Sequence, residues 1–243
     1  MYKKLCTLLI ACGVMSSAFA MPPPDADHDG NPMLYGRHSR PFDKSIYGWA
    51  DRSIQWLYAQ PFDKNPFFDQ TGANCGVGQD GPVWYLAPIA SPMMSGSLTR
   101  SCTIPRDKAI LLMVGFVSDT YPCPDPNFGP APGQSLYDFL VADSKKYMMM
   151  MSLNVTLDGR PIHDALDYQY ISENVFSVKG DPSLQSSFDS CITTSWQPDL
   201  NNGYYMLFRP LSPGQHTIVR TSTGMMGGTG MMTMTYTYYL TIK

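Results

Sequence analysis

The chain has 243 residues, a formal charge of −3 and only 15% Asp, Glu, Lys and Arg, against the roughly 25% usual in soluble domains. It has no block of Lys and Arg, which argues against nucleic acid as a partner because phosphate binding needs clustered cations. Its 20 glycines and 21 prolines suit a turn-rich β-protein better than a helical one, and no later run reaches the ~18 apolar residues of a membrane-spanning helix.

Residues 1–20 place Lys3 and Lys4 before an apolar run and end in Ala18-Phe19-Ala20, the pattern of a cleaved signal peptide. Removing them takes two lysines away, so the mature chain carries −5. A rival reading takes Leu9–Gly13 as a lipobox with Cys12 as a lipidated outer-membrane anchor; the short apolar segment before that cysteine favours cleavage after Ala20. Both readings put the protein in the periplasm, at the cell envelope or outside the cell. Residues 21–45 are rich in proline and charge and read as an extended, flexible arm. Asp25, Asp27 and Asp29 before Gly30 imitate the start of a calcium loop, but the position that needs a bidentate Glu is Gly36, which favours a solvated acidic turn.

Residues 46–243 read as one β-sandwich or jelly-roll-like domain with one short helical insertion, stapled by disulfides. VWYLAPI (83–89) and KAILLMVGFV (108–117) are strands, the second apolar on both faces and hence central. A helix is expected over 135–147, capped by Ser135 with Asp138 three residues on, and with Leu136, Phe139, Leu140 and Tyr147 near one face. Leu153, Val155 and Leu157 alternate up to the hairpin signal Asp158-Gly159, with Ile162 on the return. YYMLFRP, LSPGQHTIVR and MTMTYTYYLTI complete the strands. In the last, Met232, Met234, Tyr236, Tyr238, Leu240 and Ile242 share one face, alternating with threonines and Tyr239.

Cys6 and Cys12 leave with the signal peptide. Cys75, Cys102, Cys123 and Cys191 remain, an even number that reads as two disulfides with three possible pairings. Cys75–Cys102 with Cys123–Cys191 is favoured, because the first bridge would join two adjacent strand segments.

Two methionine clusters stand out: Met148, Met149, Met150 and Met151, and Met225, Met226, Met231 and Met232. Thioether sulfur is a Cu(I) ligand, yet methionine also fills cores and adaptable contact surfaces. No His stands beside either cluster, and consecutive strand residues point opposite ways, so a contact surface is the preferred reading and any metal remains unknown. Trp49, Trp56, Trp84 and Trp196, with 15 Tyr, can serve as a sugar-stacking platform or as core. For hydrolysis the sequence offers only His163 beside Asp164 and Asp167, with His216 read as a strand residue whose hydrogen bonds are satisfied. No nucleophile elbow, zinc motif or nucleotide fingerprint occurs, and no cofactor is implied.

Several segments resemble a family of exported bacterial proteins without an established activity. They are Trp49 and Trp56; Asn65-Pro66, Asp69, Thr71-Gly72 and Cys75; Gln79, Gly81, Val83-Trp84 and Leu86-Ala87; Arg100, Cys102-Thr103, Pro105 and Lys108-Ala109; and Leu157-Asp158-Gly159, Gly203-Tyr204 and PLSPGQHTI (210–218). The block from Asn65 to Ala109 is the specific part. The resemblance implies an exported, disulfide-bearing β-sandwich and supplies no catalytic residues. After CTIPRDKAI the family runs into Phe-Phe-Pro and an asparagine, where this chain reads LLMVGFVSDTYPC; the methionine clusters also lie outside the family pattern.

Together these readings describe a non-catalytic structural, accessory or protein-binding module of the bacterial envelope, with other envelope proteins as partners, a secretion assembly being one setting that suits it. A periplasmic binding protein for carbohydrate or Cu(I) is the alternative, and a hydrolase of unrecognised type the third reading.

Overall fold

The computed structural model describes residues 30–90, 95–226 and 230–243. The signal peptide, Cys6, Cys12, the Asp25–Asp29 turn and the connection at 227–229 lie outside the described residues. The elements in chain order are α1 (Ile46–Tyr58), β1 (Val83–Leu86), β2 (Ser95–Ile104), β3 (Ala109–Thr120), α2 (Leu136–Tyr147), β4 (Met148–Leu157), β5 (Arg160–Pro161), β6 (Gln169–Ile171), β7 (Phe176–Val178), α3 (Pro182–Ser187), β8 (Gln197–Phe208), β9 (Gly214–Met226) and β10 (Met231–Ile242).

Two mixed sheets stack. In the first, β3 lies between parallel β1 and antiparallel β8. The other edge of β8 is shared in turn by β7, by β6 and by a one-residue bridge from Leu34 to Phe208. From Ala109 to Val114 every β3 side chain is buried, because both faces of this strand are covered, as the unbroken apolar run requires. The second sheet runs β2-β10-β9-β4-β5, with β10 parallel to β2 and antiparallel to β9. Met234, Tyr236, Tyr238, Leu240 and Ile242 face inward, as the alternation predicts. The Tyr236 and Tyr238 hydroxyls donate to the carbonyls of Ile89 and Ala87 at 3.0 and 3.2 Å, tying the second sheet to the chain just past β1. Both disulfides form as favoured, Cys75–Cys102 and Cys123–Cys191, although Cys75 sits in a loop rather than a strand.

Three expectations need correction. The helical content is three α-helices among the described residues, not one. α1 lies in a stretch to which no helix was assigned, yet Ile46, Trp49, Ala50, Ser53, Ile54 and Leu57 are buried at helical spacing, and Ser45 caps the helix by accepting from the Gly48 amide at 3.1 Å. α2 starts where expected, with Ser135 accepting from the Asp138 amide, but its buried side chains are Leu140, Asp143 and Ser144, and Tyr147 is exposed. Finally, from Gly30 onward the proline-rich stretch is not a free arm. Leu34 is fully buried, the Tyr35 amide donates to Leu207 and the Arg209 amide to Met33, both at 2.9 Å.

α1 covers the β8 face that carries Asn201 and Tyr205, while Asn202, one residue out of phase, donates to Ser144 of α2 on the opposite face. The molecule therefore has three layers, α1, first sheet and second sheet, with α2 on the inner side of the first sheet.

Candidate functional site

The residues from Asn65 to Ala109 form a brace. The Asp69 carboxylate accepts from the amides of Thr71, Gly72 and Asn74; against the cost of its partial burial, these bonds hold its pKa below the usual carboxylate range. Buried Arg100 donates to the carbonyls of Ala87 (3.0 Å), Pro66 (2.6 Å) and Asp69. Gly72, at φ +97°, passes so near β2 that a Cβ would fall 1.9 Å from the Ser101 oxygen, which only glycine permits. Gln79 closes the loop by accepting from the Tyr85 amide and donating to the Tyr85 and Cys75 carbonyls. The residue pattern quoted above thus encodes the wall of a groove.

The opposite wall is α1. Its outward residues Gly48, Arg52, Gln55 and Ala59, with half-buried Asp51 at their margin, face the loop around Gly78–Pro82 across two joined hollows of about 400 and 490 Å³ that share Arg52, Gln55 and Asp80. Arg52 and Asp80 face each other across the groove at 3.7 Å. Trp56 and Tyr85 form the floor with ring centroids 5.2 Å apart, and the Trp56 indole donates to the Val77 carbonyl. Gly78, at φ +62°, lies against the Gln60 amide so closely that a Cβ would stand 2.5 Å away. Burial pushes the Asp51 carboxyl up to about 6, although Ser172 and Asn201 hydrogen-bond to it.

At the mouth stands Trp196, 70% exposed, the most exposed large apolar side chain described. Its turn is held firmly. The Gln197 side chain accepts from the Thr193 amide and hydroxyl at 2.7 and 2.6 Å and donates to the Cys191 carbonyl at 2.7 Å, and Cys191 is bonded to Cys123. An exposed indole on a pinned turn is a preformed stacking surface, because little freedom is lost when a ligand covers it. Of the four tryptophans, Trp49, Trp56 and Trp84 are buried; only Trp196 offers its ring to solvent.

A second cleft, of about 510 Å³, runs between Gly30–Met33, the Asp158-Gly159 turn and Ser212–His216. It holds a Ser-His-Asp set: Asp158 Oδ2 lies 2.7 Å from His216 Nδ1, and Ser212 Oγ lies 3.3 Å from His216 Nε2. Nε2 is also 2.9 Å from the Ser212 carbonyl. Although burial opposes it, Asp158 and that carbonyl hold the His216 pKa above its ordinary value. With Nδ1 on Asp158 and Nε2 shared between the Ser212 carbonyl and hydroxyl, the imidazole clips the Asp158-Gly159 turn to the turn that opens β9. Asp158 also accepts from the Thr217 amide. The His163–carboxylate pair that the sequence only allowed does not form among the described residues: Asp167 pairs with Arg37 at 3.0 Å, and the His163 backbone is held by Asn31.

The methionine clusters, far apart in sequence, meet at one end of the second sheet. Met149 pairs with Met225, and Met225 with Met231. Met148 is buried, Met150 and Met232 pack against the core, and Met149, Met151 and Met231 are exposed. The side chain of Met226 is outside the description. Among the described residues, no three His, Cys, Asp or Glu side chains gather in a metal-binding arrangement. No helix among them is long and apolar enough to cross a membrane.

No family model matches the chain, and no curated protein and no solved structure is found to be similar to it.

Proposed function

We propose that this chain is a non-catalytic binding module of the cell envelope that holds a polysaccharide segment in the groove along α1. The carrying observation is Trp196, presented on its pinned turn beside Gln55, Gln60, Arg52, Asp80 and Lys179. A pyranose has an apolar C–H face and a rim of hydroxyls. An exposed indole matches the face, and planar amide, guanidinium and carboxylate groups match the rim. The length and openness of the joined hollows suit several sugar units of a chain rather than one enclosed ligand. Two disulfides fit an oxidising compartment, where such polymers are met. This reading takes up the carbohydrate alternative drawn from the sequence in place of the preferred protein-binding one.

Co-sedimentation with insoluble peptidoglycan and affinity electrophoresis through soluble glycans test it. The parent chain is expected to be retained by at least one polymer, and Trp196→Ala to lose at least 10-fold in affinity with an unchanged far-UV spectrum. Retention of Trp196→Ala equal to the parent's sinks the proposal.

A further inference from the structure

The outer face of the second sheet is built mostly of threonine. On β10 it carries Thr233, Thr235 and Thr237, and on β9 Thr217, Val219, Thr221 and Thr223, with hydroxyls paired across the strands at Thr221–Thr235 (2.9 Å) and Thr223–Thr233 (3.1 Å). One step beyond, at the same level on three neighbouring strands, the residue type changes together: Met149 on β4, Met225 on β9 and Met231 on β10 lie side by side. Directly paired residues share a face, so the three thioethers project together. A bulge follows at once on β4 between Met150 and Ser152, and its extra residue, Met151, is 61% exposed; Met149 and Met231 are 49% and 47% exposed. Bulges commonly re-aim a side chain beside a site.

Core packing does not account for exposed methionine, and threonine serves most of the rest of this face. What three methionines share and threonine or leucine lacks is sulfur. We infer that Met149, Met225 and Met231 form a thioether site for a soft monovalent cation, Cu(I). Strands stand about 4.8 Å apart, so the outer two methionines flank the central one within reach of their three rotatable bonds, and three sulfurs can converge above β9. All four described cysteines are taken up in disulfides, leaving thioethers as the soft donors of this surface. No carboxylate or imidazole stands in the row to attract Zn²⁺, Ca²⁺ or Mg²⁺. A thioether also carries no proton at working pH, so this site keeps its metal where imidazole and thiolate sites lose theirs. The inference stands independently of the polysaccharide groove, which lies beyond the first sheet.

The test uses the whole mature chain with both disulfides intact. Cu(I), kept reduced by ascorbate, is competed against a chromophoric Cu(I) chelator at pH 7 and pH 5, and Ag(I) is titrated while the methionine methyl carbons are followed by NMR. Expected are one Cu(I) per chain, affinities at the two pH values within about 3-fold, and methyl shifts confined to the row and its immediate neighbours. Each single Met→Leu change at 149, 225 or 231 should weaken binding at least 10-fold, and the triple change should abolish it while glycan retention persists. The inference fails if the parent takes up no Cu(I), if the triple variant competes as well as the parent, or if affinity collapses at pH 5.

Discussion

The two sheets bury charge of opposite sign and handle it differently. Around the first, Asp51, Asp119 and Asp199 are withdrawn from water; burial pushes their carboxyls up to about 6, 7 and 8. Asp199 is fully enclosed and, among the described residues, its carboxylate accepts a hydrogen bond only from the Ser118 hydroxyl, at 2.7 and 2.9 Å. In the second sheet the enclosed groups are Arg100 and Arg220. A carboxyl can escape the cost of burial by taking a proton, but a guanidinium cannot. Arg100 therefore spends its N–H groups on three carbonyls. Arg220 lies 3.6 Å from the centre of the Tyr236 ring and donates to Ser222, yet its Nε and Nη2 find no hydrogen-bond partner among the described residues. One region is adjustable by pH and the other is locked.

The contrast can be broken by experiment. The largest effect is expected at Arg100, where Arg100→Met strands three buried carbonyls and should cost about 3 to 5 kcal/mol; denaturant unfolding reads it, and a loss under 1 kcal/mol would mean the brace holds without its centre. Next comes pH. Because Asp51, Asp119 and Asp199 bind protons more tightly folded than unfolded, their contribution is fully present below about pH 4 and drains away as pH rises through 6 to 8. The thermal midpoint should fall by several degrees between pH 5 and pH 8.5, and Asp199→Asn should flatten the upper part of that fall. Asp69 and Asp158, whose pKa values are lowered, act in the opposite sense and limit stability at the acid end.

Arg220 should behave unlike Arg100. Arg220→Met removes two unpartnered donors and keeps the apolar contact, so a gain of about 1 to 2 kcal/mol is expected; a loss of similar size would reveal a partner for the guanidinium. Smallest is Trp196→Ala, which should change stability by no more than about 0.5 kcal/mol while removing polysaccharide binding. A large loss of stability there would turn the exposed indole into a structural element.

Much of this architecture was legible in the chain. β3 announced itself by an unbroken apolar run, β10 by its alternation and α2 by its cap, since these signals are local. α1 carries a local signal too, an apolar spacing of three and four after Ser45, but Ile, Trp and Tyr are strand formers and Gly48 interrupts the helix propensity, so period and propensity point opposite ways. The site was harder to see. Nothing in TTSWQPD marks Trp196 as exposed, because its position follows from a disulfide and from Gln197 folding back on the turn. Sequence alone argues against a shared methionine site because neighbours in a strand diverge. That is true within each strand, yet β4, β9 and β10 each contribute the member that points outward, and only the register between distant strands brings these together.

One feature of the second sheet governs the order in which the molecule can be assembled. β10, the latest of the described strands, is inserted between β2 and β9. Until residues 231–242 are available β2 has no neighbour, the hydroxyls of Tyr236 and Tyr238 are missing from the junction of the layers, and the long-range closure that defines the sandwich is postponed. The earlier strands of this sheet therefore wait on the keystone strand, and the sandwich closes only when it docks.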